Sequence, residues 1–93
     1  MGFRNWKFTI KSGHQLRELI GSGNYNALFD AMITVWKDIH RIVPEDFDEF
    51  DLQDAIDEIE SVRGCNVIVN DEIDGLLTEI YDFCDAYDLW LEL

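Results

Sequence analysis

Residues 24–43 read NYNALFDAMITVWKDIHRIV, and this stretch decides the fold. Leu28, Phe29, Met32, Ile33, Trp36, Ile39 and Val43 recur at steps of three and four, the spacing that lines one face of an α-helix. The spacing predicts a long helix over 24–42. Pro44 stops it, because proline lacks the N–H that a continuing helix needs. Phe29 and Trp36 fall on the apolar face and read as core.

Upstream, Gly21, Ser22 and Gly23 make a loop. Before it, a short helix carries Leu16, Leu19 and Ile20 inward; Ser12 and Gln15 have capping-box spacing, and Gly21 ends it. Trp6, Phe8 and Ile10 alternate with Lys7, Thr9 and Lys11, the period of a half-buried strand. Downstream, residues 45–50 read as a short turn or helix burying Phe47 and Phe50. A further helix begins at Asp51, turns Leu52, Ala55, Ile56, Ile59 and Val62 inward, and ends at Gly64. The β-branched run Val67, Ile68, Val69 predicts a second strand, with residues 6–10 as its mate. The last helix is expected over 71–90, with Ile73, Leu76, Leu77, Ile80, Cys84 and Tyr87 inward. The fold class is mainly α (α+β): four to five short helices with a small two-stranded β element, in one domain over 1–93.

With 47% hydrophobic residues and twelve aromatics, the chain has enough apolar surface for a core and is not of the disordered class. Cys65 and Cys84 form no CxxC or zinc-type spacing and have apolar neighbours, so both are expected as buried free thiols in a reducing cytoplasm. The first fifteen residues contain no apolar run of signal-peptide type, and no run is long enough to span a bilayer. The expectation is a cytoplasmic protein with no membrane partner.

Charge is the unusual property. The net charge is −13 and is unevenly distributed. Residues 1–44 hold six basic residues (Arg4, Lys7, Lys11, Arg17, Lys37, Arg41) against Glu18, Asp30 and Asp38, a net of +3. Residues 45–93 hold Arg63 alone against seventeen acids, a net of −16. On the last helix Asp71, Asp74, Asp82 and Asp85 share a stripe with Thr78, and Asp88 follows; on the helix before it Asp54, Asp57 and Glu58 do the same with Ser61. Asp46, Asp48, Glu49 and Asp51 fill the segment between Pro44 and that helix. Neighbouring carboxylates about 6 Å apart repel by roughly 0.7 kcal/mol in water. Almost no lysine interleaves to relieve this, so a purely solubilising surface accounts for it poorly. If the two helices pack side by side, their acids form one face. Duplex DNA carries one charge per about 1.7 Å of its axis. A face of helix-spaced carboxylates therefore suits a cleft lined with Lys and Arg, and Tyr81, Tyr87 or Trp90 would add aromatic anchors.

Other chemistries fit less well. A calcium loop starting at Asn70 has Gly75 at its sixth position but Tyr81 at its twelfth, where a bidentate Glu is needed. His14 and His40 are the only histidines, and His40 lies beside Arg41 near a helix end, where the helix dipole explains it. No phosphate loop, nucleophile elbow or HExxH motif occurs. The reading is no enzyme, no cofactor and no metal. Direct nucleic-acid binding through Arg4, Lys7, Lys11 and Arg17 is opposed by the net charge; a place on the strand's solvent face or pairing with the acidic half is expected instead.

The run over 45–60 and the stripe from Asp71 to Asp88 give the chain its resemblance. In charge character it resembles the small acidic inhibitors, anti-restriction and anti-CRISPR, that phages and mobile elements direct against host defence nucleases. These inhibitors share no motif by which a residue's role could be transferred. The resemblance implies a basic protein partner and no catalysis; the leading expectation, from the net of −16, is a nucleic-acid mimic that blocks the basic cleft of a nuclease or effector complex in a bacterial host cell. The alternative is a small adaptor or immunity-type module whose acids serve solubility and partner choice. The oligomeric state stays open; Leu89, Trp90 and Leu91 are sticky enough for a homodimer contact.

Overall fold

A computed structural model describes residues 5–93; Arg4, counted above with the basic half, lies outside them. The element order is β1 (Phe8–Ile10), α1 (Gly13–Leu19), α2 (Tyr25–Ile42), α3 (Glu49–Arg63), α4 (Asn70–Ala86) and β2 (Leu89–Leu91). Among the described residues the protein has four helices and one small parallel sheet, and its class, mainly α with a small two-stranded β element, is the one its residue pattern predicts.

The long central helix forms where expected. Asn24 caps it by accepting the Ala27 N–H at 3.2 Å, and Leu28, Phe29, Ala31, Met32, Val35, Trp36 and Ile39 are buried along it. Helices α1, α3 and α4 and strand β1 all pack against α2. The loop before it uses Gly21 and Gly23 at φ +78° and +81°, backbone conformations that a side chain disfavours. Helix α4 adds Ile73, Leu76, Leu77, Ile80 and Cys84 to the core, whereas α3 buries only Ile59. After Pro44 the chain turns and buries Phe47. His40 Nδ1 lies 2.8 Å from the Phe47 carbonyl. A carbonyl can only accept, so Nδ1 donates and His40 ties the turn to α2.

Several expectations are corrected. The mate of β1 is β2, running parallel in the register Phe8↔Leu89, Thr9↔Trp90, Ile10↔Leu91. The Val67–Val69 run is no strand: Val67 is 72% exposed, and Val69 is the extended residue that opens α4. The last helix ends at Ala86 rather than near residue 90, because Asp88 adopts φ +57° and turns the chain into β2. Aspartate tolerates that left-handed conformation better than most residues. The Ser12 side chain makes no capping bond, and its buried Oγ has no partner. The capping box lies instead at Asp48 and Asp51, which moves the start of α3 to Glu49. Phe50 then projects outward, 82% exposed, and Ile20 is exposed as well. Cys65 is exposed; only Cys84 is a buried thiol.

Two glycines make opposite predictions. At Gly13 an added Cβ would lie 2.7 Å from the Glu92 carbonyl oxygen and 2.8 Å from Leu91, whereas at Gly75, within α4, nothing lies within 4 Å. Gly75→Ala should stabilise by about 0.5–1 kcal/mol and raise Tm by about 2–8 °C. Gly13→Ala should destabilise by about 1–3 kcal/mol despite its helical position. Thermal unfolding followed by circular dichroism checks both signs; a Gly13→Ala protein as stable as the parent would contradict the close approach of the chain end.

Candidate protein-binding surface

The acids of the second half do three different things. Some serve helix ends. Asp48 Oδ1 accepts the Asp51 N–H at 2.9 Å, and Asp51 Oδ2 accepts the Asp48 N–H at 3.4 Å. Glu49 and Asp51 lie in the first turn of α3, and Asp71 and Glu72 in the first turn of α4, where negative charge meets the positive end of the helix dipole. These carboxylates stabilise their helices while remaining exposed to solvent.

A second set gathers across a groove. α3 and α4 each lean on the core, and between them an open groove of about 470 Å³ is floored by Trp36, Phe47 and Phe83. Its aromatic floor is continuous: Trp36 and Phe47 stack at 4.8 Å, and Phe83 meets Phe47 edge-on at 5.1 Å and stacks on Tyr87 at 4.4 Å. Asp54 and Glu58 of α3 and Glu79 and Asp82 of α4 form its rim. Glu58 and Glu79 come within hydrogen-bonding reach, which requires a proton between two acceptors. Partial burial, that hydrogen bond and the charge of Glu58 all raise the Glu79 pKa. The two helices therefore present one acidic face only here, and with apolar surface in its middle. Side-by-side contact of α3 and α4 along their lengths, the condition for a continuous sheet of charge, is replaced by this groove.

A third set lies elsewhere. Asp74 lines a separate cleft beside the α1–α2 loop and raises the Tyr81 pKa, second to burial. Asp85 lies near Trp90 and Leu93, and Asp88 is half-buried at the α4–β2 turn, where its carbonyl accepts the Lys7 N–H at 2.8 Å. The predicted α4 stripe thus divides between two flanks. Asp57 accepts a hydrogen bond from Gln53 at 2.8 Å, and Asp46 is exposed after the Pro44 turn. Glu79 is the residue that the sequence reading passed over, although it lies one turn from Asp82 and opposite Glu58.

Arg63, the lone base of this half, turns away from the groove. Its guanidinium pairs with Asp30 of α2 at 2.7 Å, approaches Glu60 at 3.6 Å and lies 5.6 Å from the Phe29 ring centre. The Arg63–Asp30 pair joins the acidic half to the basic half. Across the halves His14 also meets Glu92, at 3.1 Å. Burial pushes the Cys84 thiol up to about 11, so it stays protonated at neutral pH. Among the described residues no three His, Cys, Asp or Glu side chains group to hold a metal, and no helix is long and apolar enough to cross a membrane. The would-be calcium loop is the first turns of α4.

The Glu58–Glu79 contact has a signed consequence. A carboxyl whose folded pKa lies above its ordinary value of 4.5 helps folding below that value and loses the benefit as pH rises through the folded pKa. Glu79→Gln should therefore raise Tm at pH 7, by about 1–4 °C given solvent screening, and the gain should vanish below pH ~4. Thermal melts across that range check it; an unchanged Tm at pH 7 would contradict the contact. Compared with known protein families, curated proteins and solved structures, this chain finds no match, so the surface is read on its own chemistry.

Proposed function

We propose that this protein is a non-catalytic, cytoplasmic inhibitor that occupies the basic, nucleic-acid-binding cleft of a host defence nuclease in a bacterial cell. The observation that carries the reading is the excess of carboxylates in the second half: a net of −16 over residues 45–93, whose one Arg, Arg63, is drawn to Asp30. Exposed carboxylates on α3 and α4 offer a cationic cleft what a phosphate backbone offers, and binding would release the counterions held by each surface. The resemblance to anti-restriction and anti-CRISPR inhibitors supports the same reading through charge character. A second reading, an adaptor or immunity-type module, is favoured by one observation, the apolar floor of the α3–α4 groove.

The test is DNA cleavage by purified restriction and CRISPR effector nucleases in the presence of the protein. Inhibition is expected to compete with duplex DNA and to weaken about tenfold or more between ~50 and ~500 mM salt. Reversing Asp54, Asp57 and Asp82 to Lys should abolish it and leave the fold as stable or more so. Inhibition that ignores salt, or that survives the triple reversal, overturns the assignment.

A further inference from the structure

The acidic rim and the aromatic floor lie at one place, and the combination specifies more than charge. Trp36 and Phe47 are almost wholly buried, but their stacked rings close the bottom of the groove. Phe83 and Tyr87 extend that surface outward to solvent. Ala55 on one wall and Ala86 on the other are small, so the groove stays open between α3 and α4. Around this floor stand Asp54, Glu58, Glu79 and Asp82, with no basic side chain among the lining residues. Phosphate backbone has no counterpart to the floor, so charge mimicry alone leaves it unused.

We infer that the α3–α4 groove is a docking site for a cationic amphipathic helix of the protein partner, which lays apolar side chains on Phe83 and Tyr87 and sets Lys or Arg against the Asp54, Glu58, Glu79 and Asp82 rim. The inference rests on the reading that the acidic half meets a basic protein, and it specifies the segment that is recognised. Charge complementarity selects this occupant. A second copy seated symmetrically would bring two acidic rims together, and nucleic acid would bring phosphate against carboxylate. A cation between Glu58 and Glu79 relieves the repulsion of the two neighbouring carboxylates. Apolar side chains at helical spacing then cover aromatic surface that charge alone leaves wet.

The experiment uses two synthetic peptides of about 18 residues, roughly five helical turns. In one, leucines recur at three- and four-residue steps among lysines; in the other each leucine is replaced by glutamine, so the charge is the same. Binding is followed by chemical-shift mapping of the labelled full-length protein. The leucine peptide should bind about tenfold or more tightly than its control, a gain within reach of burying one leucine side chain. The shifts should centre on the Trp36 indole, Ala55, Phe83 and Ala86. Ala86→Trp, at an exposed position that fills the groove, should remove the preference while circular dichroism stays unchanged. Equal affinity for the two peptides, or shifts centred away from the groove, overturns the inference and leaves the acidic-face reading standing. Failure of both peptides to bind at low salt overturns both. A concentration-dependent dimer with the same shifts and no peptide assigns the groove to a second copy and overturns the inference too.

Discussion

Burial of one face of α2 is the constraint on which the rest of the structure depends. Seven of its side chains are buried, and α1, α3, α4 and β1 all take their positions from it. Burying an aliphatic or aromatic side chain is worth about 1.5–3 kcal/mol, so this one face supplies a term as large as the net stability of an ordinary domain. The geometry follows. α3 and α4 answer to α2 more than to each other, and the space left between them is the groove. A helix pair that packed tightly on itself would have closed that space with leucine; here Ala55 and Ala86 leave it open.

The same arrangement lets the molecule carry its charge. Each exposed carboxylate pair costs a fraction of a kcal/mol, and several of the acids are offset locally by the helix N-termini they occupy. Arg63 lies where it fastens α3 to α2, through Asp30 and over the Phe29 ring, rather than where it would neutralise the rim. Stability and negative potential are thereby separated in space: the first sits on the α2 side of α3, the second on the α4 side.

The helices were legible in the sequence because three- and four-residue periodicity reports a single buried face, and α2 and α4 have one. The apolar residues of α3 are mostly half-buried, so its start was misplaced; the Asp48–Asp51 box marks it better than the run beginning at Leu52. The sheet was half legible. Residues 8–10 alternate as a strand should, but their partner carries Leu-Trp-Leu directly after a helix, and that run continues the helical pattern. Only the backbone of Asp88 breaks it, and no glycine announces the break. Val67–Val69 has the better strand composition, but it lies outside the sheet and leads into α4, while β1 pairs with β2. For the binding surface, the acids could be named but their grouping could not. Which carboxylates share a groove depends on the angle at which α3 and α4 meet α2, and periodicity along one helix does not encode that.

The parallel pairing of β1 with β2 joins two segments that lie on either side of all four helices in sequence. Closing so long a loop costs about 4 kcal/mol of chain entropy, against only a few backbone hydrogen bonds returned directly. The sheet is therefore a latch, set after the helices have already brought its halves together. A ribosome delivers β1 before all four helices and its mate after them. Until β2 emerges Ile10 waits without Leu91, its partner in the register, and the sheet locks only once that strand has been made.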